Sequence, residues 1–220
     1  MTRAPQAVAN LPRRSQTMRS AQMRRRLLLA TIALLKRHGY AGLRTAAVAD
    51  EAGVSRGALL HHFATKDALI LASVEFVMRR ARAQAMRRLR RVEEGTDAFA
   101  AVIDDARGFF FSKDFGVVLD LVLMGGKNPE FRRHIVRYAR DNRLPVEAAW
   151  RGLLERRGLA PDQAGLLLDL TLNMVRGVSI RALWQRDEPA IERMLSAWQE
   201  MLKLYLDRHG ATSFAKGPET

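Results

Sequence analysis

The sequence predicts an all-α protein made of a small three-helix head and a larger helical body. Apolar residues recur at the three- and four-residue spacing of amphipathic helices, and no stretch alternates as a half-buried strand would. Glycine and proline interrupt this pattern at short intervals, as expected between helices. Apolar residues make up 48% of the 220 positions, which is enough for a packed core.

The first helix is predicted to follow a basic arm. Residues 1–18 contain two prolines and three arginines, so we expect a mobile segment there. From about Met18 to His38 the apolar spacing is helical. Gly39 predicts the end of this helix, because glycine adopts the left-handed conformation of a helix C′ position without steric cost.

Two short helices are predicted next, over residues 45–52 and 56–62. Gly53 is expected to end the first of them, again as a C′ glycine. Val54 is the expected buried residue of the turn. Ser55 is expected to cap the second helix, because its hydroxyl can accept a hydrogen bond from a free N–H of the first turn.

A long helix is predicted over residues 66–92, and its second half is rich in arginine. Thr65 is the expected N-cap of this helix, and Asp67 favours the positive end of the helix dipole. Leu59 and Phe63, just upstream, are expected to point inward.

Beyond residue 92 the sequence predicts a body of helices with short breaks. Thr96 or Asp97 is expected to cap the first body helix, and Pro129 to occupy a first turn. Leu144-Pro145 either kinks a helix or restarts it. The body helices are expected at 98–112, 115–124, 130–142 with a continuation to 157, 162–186 and 189–209, followed by a frayed end over 210–220.

The net charge of +14 is unevenly distributed along the chain. Residues 1–91 hold nineteen Lys and Arg against four Asp and Glu, whereas residues 92–220 hold eighteen against nineteen. A mixed solvated surface would not separate the signs in this way. We therefore expect the first part of the chain to contact a polyanion, either nucleic acid or an anionic membrane face.

The helix, three-residue turn and helix over residues 45–62 indicate a helix-turn-helix. In such a unit the second helix enters the major groove of DNA, whose width fits an α-helix. Because the unit lies in the basic part of the chain, double-stranded DNA is the expected partner. We assign 1–18 to the arm, 19–66 to the DNA-binding head, and 67–220 to a ligand-binding and dimerisation body.

The run over residues 39–70 resembles the DNA-binding head of TetR-family repressors. The similarity covers about residues 20–70, and the remainder matches the family only in length and helical layout. It implies a homodimer on a roughly palindromic operator, released when a small-molecule effector binds the body; activation is the other possible output. The shared residues are Gly39 with Tyr40, Ala49, Ala52-Gly53-Val54-Ser55, Gly57, Leu59, His62-Phe63, Lys66 and Leu69.

The resemblance also implies roles for individual residues. Thr45 and Lys66 match phosphate-binding positions, and Arg56 matches a position that meets the floor of the major groove. An arginine there can bind O6 and N7 of guanine in a bidentate way. The predicted DNA-binding residues are Arg44, Thr45, Ser55, Arg56, Gly57, Ala58, Leu60, His61 and Lys66.

Two positions depart from the family pattern. Leu60 stands where the family often has a tyrosine whose hydroxyl contacts a phosphate, so it is expected to touch a sugar or a thymine methyl group instead. Arg44 stands where a capping threonine is common; it can contact a phosphate but cannot cap a helix through a side-chain acceptor.

The body residues yield two further predictions. A bundle pocket is apolar with a few polar residues that orient the ligand, and a TetR-type dimer pairs the last two helices of each subunit. The predicted pocket residues are Phe99, Phe110, Met124, Tyr138, Trp150, Asn173 and Met174. The predicted dimer residues are Leu170, Met174, Ile191, Met194, Leu195, Trp198 and Leu202. Some of both sets are ordinary core residues in the alternative interpretation.

The residues argue against an enzyme, a metal site and a cofactor. The chain has no cysteine, which excludes disulfides and thiolate chemistry. The pairs His61-His62 and Asp104-Asp105 are adjacent on helices, so their side chains diverge by about 100°. Two alternatives remain: a DNA-bound structural protein whose body recruits another protein, and a membrane-surface binder. We expect a cytoplasmic protein that does not bind membranes.

Overall fold

The computed structural model describes residues 14–92, 97–124 and 128–208, apart from the side chains of residues 14, 15 and 124. The predicted arm and the predicted frayed end fall mostly outside these ranges. All regular structure in the described ranges is helical. The helices are α1 Arg14–Gly42, α2 Thr45–Ala52, α3 Arg56–His62, α4 Lys66–Val92, α5 Ala98–Phe110, α6 Lys113–Met124, α7 Pro129–Arg156, α8 Pro161–Arg181 and α9 Glu188–Arg208. The predicted all-α class is therefore confirmed.

The chain divides into two compact units, one ending at Ser73 and the other beginning at Val74. In the first unit, α1 packs on α2 and α2 on α3. Gly39 has a φ of 64°, a left-handed conformation that interrupts α1 at the predicted residue, and one further helical turn follows to Gly42. The core of this unit includes Leu27, Leu35, Leu43, Val48, Ala49, Leu59, Phe63, Leu69 and Ile70.

In the second unit, α8 packs against α5 and α7, and α7 also packs against α6. The largest fully buried side chains of this unit are Met78, Val74, Val102, Leu121, Ile135, Trp150, Leu154 and Leu168. None of the helices in the described ranges is both long and apolar enough to span a bilayer.

Local capping explains where several body helices begin. The Asp97 carboxylate accepts hydrogen bonds from the N–H groups of Phe99 and Ala100, at 2.8 and 3.2 Å. Asp97 is thus the cap of α5, whereas Thr96, the other predicted candidate, lies outside the described residues. The Asn128 side chain caps α7 through the N–H of Phe131, at 3.1 Å.

Three details differ from the sequence-based expectations. Helix α8 ends at Arg181, not at residue 186, because the next two apolar residues, Leu183 and Trp184, find no core and are 67% and 74% exposed. Helix α7 runs through Pro145 without restarting. Val54 is half-buried, not buried.

Candidate nucleic-acid interface

The turn between α2 and α3 is built around Gly53. This residue has a φ of 62° and a ψ of 48°, and its N–H donates to the carbonyls of Ala49 and Asp50. The N–H of Val54 also donates to the Ala49 carbonyl, at 3.0 Å. These bonds form a Schellman motif, which satisfies the last carbonyls of α2 and sets the direction of the chain into α3.

Arg26, on α1, fixes the same turn from outside. Its guanidinium donates to the carbonyls of Ala52 and Gly53, the latter at 3.3 Å. A Cβ at residue 53 would come within 2.9 Å of this guanidinium. The sequence analysis missed this contact, because Arg26 lies 26 residues away from Ala52 and was counted only as part of the basic surface.

Helix α3 is held at both ends. The Ser55 hydroxyl accepts a hydrogen bond from the N–H of Ala58 at 3.1 Å, as predicted for an N-cap. Leu59 and Phe63 are 2% and 4% exposed, so one side of the helix is anchored in the core. The guanidinium of Arg24 lies 4.8 Å from the centre of the Phe63 ring.

The opposite side of α3 faces solvent in the single chain. Arg56, Gly57, Leu60 and His61 are exposed, and Ala58 is half-buried. Leu60 is 59% exposed, which is unusual for an apolar residue anchored in no core. Four of the residues predicted to read base edges, together with Leu60, therefore share one accessible surface at the start of this helix.

The start of α2 lies next in the chain. Arg44 is exposed in an extended conformation and its side chain caps nothing, in agreement with the expectation for this position. Thr45 is half-buried. Arg37 and Glu51 form a surface ion pair at 2.7 Å, so the negative charge of Glu51 is partly balanced by α1.

Lys66 begins α4 and is fixed by Tyr40. The Lys66 ammonium donates to the Tyr40 carbonyl at 3.1 Å and lies 4.8 Å from the centre of its ring. The Tyr40 hydroxyl donates to Asp67 at 3.4 Å. Burial, and then the nearby charge of Asp67, raise the pKa of Tyr40. Thr65 caps the helix as predicted, by accepting a hydrogen bond from the N–H of Ala68.

The predicted pocket residues do not share one environment. Phe99, Phe110 and Trp150 are buried, Tyr138 and Met174 are half-buried, and Asn173 is exposed, whereas the side chain of Met124 lies outside the described residues. The indole N–H of Trp150 donates to the carboxylate of Asp105 at 3.2 Å, so this tryptophan is held by a partner inside the protein. In the described ranges, no three His, Asp or Glu side chains lie close enough to share a metal ion.

The predicted dimer residues divide into two groups. Ile191, Leu195 and Leu202 are at most 4% exposed, because they pack within the chain itself. Leu170 is 44% exposed, and Met174, Met194 and Trp198 are half-buried. The most exposed large apolar residues of α8 and α9 are Leu166, Leu170, Met201 and Leu204.

Comparison with known proteins gives matches over the head and over most of the chain. Residues 27–73 match the sequence model of "Bacterial regulatory proteins, tetR family". The HTH-type transcriptional regulator CymR of Pseudomonas putida is 38% identical over 191 residues, which cover 87% of this chain and 94% of CymR. A TetR transcription regulator from Haloarcula marismortui has the same fold, with a TM-score of 0.64, 22% identity, and 82% and 96% of the two chains covered. A protein from Saccharomonospora viridis, solved in complex with choline, superposes with a TM-score of 0.63, 20% identity, and 83% and 96% covered.

Proposed function

Because the chain belongs to the tetR family of bacterial regulatory proteins, we propose that it represses transcription as a homodimer on a roughly palindromic operator until a small-molecule effector releases it. The protein is a DNA-binding transcriptional regulator and not an enzyme. The observation that carries the proposal is the exposed surface of α3, which lies in a basic head and is anchored by Leu59 and Phe63 on its other side. Binding to an operator would place the protein in the cytoplasm.

In this proposal the residues of α3 face the major groove. Arg56 binds a guanine edge through two hydrogen bonds, and His61 contacts a neighbouring base. Gly57 and Ala58 are small enough for the helix to come close to the bases. Leu60 packs against a sugar or a thymine methyl group, which would bury its exposed side chain.

The residues around α3 position it through the DNA backbone. Arg44 and Thr45, at the start of α2, contact phosphate oxygens, and so does Lys66 at the start of α4. Such contacts set the register of the head on the duplex without reading sequence. Ser55 contributes indirectly, because its cap orients the first turn of α3.

The dimer surface is proposed on the exposed apolar residues of α8 and α9. Leu166, Leu170, Met201 and Leu204 would be covered by the same residues of a second copy about a two-fold axis. The buried residues Ile191, Leu195 and Leu202 would support this surface from inside. A two-fold dimer presents two recognition helices, which matches an operator with two inverted half-sites.

The effector is proposed to bind the second unit and to favour a dimer that fits the operator poorly. It can do so only through a difference in its affinity for the two states. The choline complex of the Saccharomonospora viridis protein supports a small molecule as the ligand of this fold.

Selection of bound fragments from random duplex DNA tests the proposal. We expect the full-length protein to enrich an inverted repeat whose half-sites are separated by about 10 base pairs or a multiple of this spacing. Sedimentation of the complex should give two chains per operator. Enrichment of no sequence, or binding of single chains to isolated half-sites, would contradict the proposal.

Replacing Gly57 by alanine is expected to separate folding from DNA binding. Gly57 is helical with a negative φ, and a Cβ there would meet nothing closer than the Ser55 hydroxyl, at 3.9 Å. Because alanine is the better helix former, the variant should be more stable by up to about 1 kcal/mol. Operator affinity should nevertheless fall at least about tenfold if the added methyl group prevents close approach to the bases.

Thermal unfolding and operator titration of the same sample measure the two effects. Gly177→Ala is the matched control, since a Cβ at this helical glycine also meets no atom within 4 Å and the residue lies far along the chain in α8. It should keep full operator affinity. Unchanged affinity in Gly57→Ala would show that the helix does not approach the bases at this residue.

A further inference from the structure

Arg143 is a buried cation whose hydrogen-bond donors are unused. It lies on α7, and its side chain is only 10% exposed. All three of its guanidinium nitrogens are buried and have no hydrogen-bond partner among the described residues. Arginine is positively charged at neutral pH and donates five N–H bonds, so this is a large unsatisfied group.

The nearest carboxylates balance the charge of Arg143 without satisfying its donors. One guanidinium nitrogen lies 3.8 Å from the Asp105 carboxylate, and Nε lies 3.9 Å from that of Glu147. Both distances exceed a normal hydrogen bond. The Asp105 oxygens instead accept hydrogen bonds from Arg88, at 3.1 Å, and from Trp150, at 3.2 Å.

The position of Arg143 is unfavourable for a residue with a purely structural role. Burial removes the guanidinium from water, and this desolvation lowers the pKa of Arg143, as does the nearby positive charge of Arg176. Burying a charge whose donors are not satisfied is costly, and a well-packed apolar side chain is usually tolerated at least as well. An exception of this kind calls for an explanation, and an absent ligand supplies one.

The other neighbours of Arg143 are aromatic. Its guanidinium carbon lies 4.5 Å from the centre of the Phe109 ring and 5.8 Å from that of Phe110. Phe115 completes a cluster in which the ring centres are 5.1 to 5.5 Å apart. The guanidinium of Arg176 lies 4.8 Å from the Phe110 ring. A flat apolar molecule with an anionic end would match both the rings and the free donors.

We propose that Arg143 binds the carboxylate of the effector, and that the effector is an aromatic monocarboxylic acid whose ring lies among Phe109, Phe110 and Phe115. This inference rests on the proposed function, because it names the chemical class of the effector. Two parallel N–H···O bonds suit a carboxylate and a guanidinium. A dianionic phosphate fits less well, since the carboxylates of Asp105 and Glu147 lie within 4 Å of the same guanidinium and would repel a second negative charge.

The first experiment uses the unaltered full-length protein and pairs of acids and amides of equal shape. Benzoate, phenylacetate and 2-naphthoate are compared with benzamide, phenylacetamide and 2-naphthamide by thermal shift, at constant ionic strength with sodium chloride as the blank. We expect at least one acid to raise the Tm and its amide to leave it unchanged. Equal shifts by acids and amides, or no shift with any acid, would overturn the proposal.

The second experiment assigns the effect to Arg143. In Arg143→Gln, the affinity for the stabilising acid should fall at least about tenfold, because hydrogen bonds to a charged group are lost. Arg140→Gln, an exposed arginine on the same helix, is the control and should behave like the unaltered protein. Retained acid binding by a folded Arg143→Gln would place the carboxylate elsewhere and overturn the assignment. If this variant does not fold, the comparison of acids with amides still decides whether a carboxylate is recognised.

Titration of the operator separates this inference from the proposed function. The stabilising acid should release the unaltered protein from its operator, and Arg143→Gln should bind the operator normally but resist release. Failure of the unaltered protein to bind any operator would reject the proposed function. Normal operator binding without recognition of any acid would reject only the present inference.

Discussion

Replacing Asp105 by alanine is expected to lower the free energy of unfolding by about 3–5 kcal/mol. Asp105 is 1% exposed and accepts hydrogen bonds from Arg88 and from the Trp150 indole. Its removal leaves Arg143 without the nearer of its two counter-charges and the Trp150 N–H without a partner. Arg88 can turn toward water, because 37% of its side chain is exposed, so most of the cost arises from Arg143 and Trp150.

The preceding residue provides a matched control. Asp104 lies 3.5 Å from the same arginine, Arg88, but its side chain is 74% exposed. Asp104→Ala should therefore cost less than about 1 kcal/mol, as is usual for surface ion pairs. Urea unfolding of the two variants measures the difference. Equal destabilisation, or a loss below about 1 kcal/mol in Asp105→Ala, would show that Asp105 does not organise the buried charges of the body.

Replacing Arg56 by alanine is expected to remove sequence preference at one base pair of each half-site. The loss of a bidentate contact to guanine corresponds to about 1–3 kcal/mol, or roughly 5- to 150-fold in affinity. The variant should fold normally, because Arg56 is exposed at the first position of α3 and the Ser55 cap is unaffected. Titration at constant salt against the selected operator, and against operators altered at single positions, measures both the loss and its position.

Arg44→Ala is the informative comparison for Arg56. If Arg44 contacts a phosphate, its loss should weaken binding by a similar factor on all sequences. It should also reduce the slope of log affinity against log salt concentration by about one. Full discrimination at every base pair in Arg56→Ala would reject the proposed base contact. A change of base preference in Arg44→Ala would mean that the roles of the two arginines are exchanged.

The parts of the fold set by neighbouring residues could be predicted from the sequence. Gly53 ends α2 and Ser55 begins α3 because each acts on backbone groups within a few residues, so their roles follow from local chemistry. The same holds for Gly39 and Thr65. Since these residues also set where α3 begins, the sequence was sufficient to identify the exposed surface that we propose for DNA.

Contacts between distant residues could not be predicted in this way. Asp104 and Asp105 look alike in the sequence, yet one is exposed and the other accepts a hydrogen bond from Trp150, 45 residues away. Arg143 resembles any surface arginine until its neighbours are known. Helical spacing likewise shows that Leu170, Ile191 and Leu195 are on apolar faces, but not that only Leu170 is exposed.

The hydrogen bonds from Arg26 to the end of α2 have a kinetic consequence. With this guanidinium, the Schellman turn at Gly53 and the Ser55 cap all in place in the free chain, α3 is already preorganised before it meets DNA. Little conformational entropy is then left to lose on association. Related operators should consequently be reached at similar rates, and the protein should distinguish them by how long it stays bound.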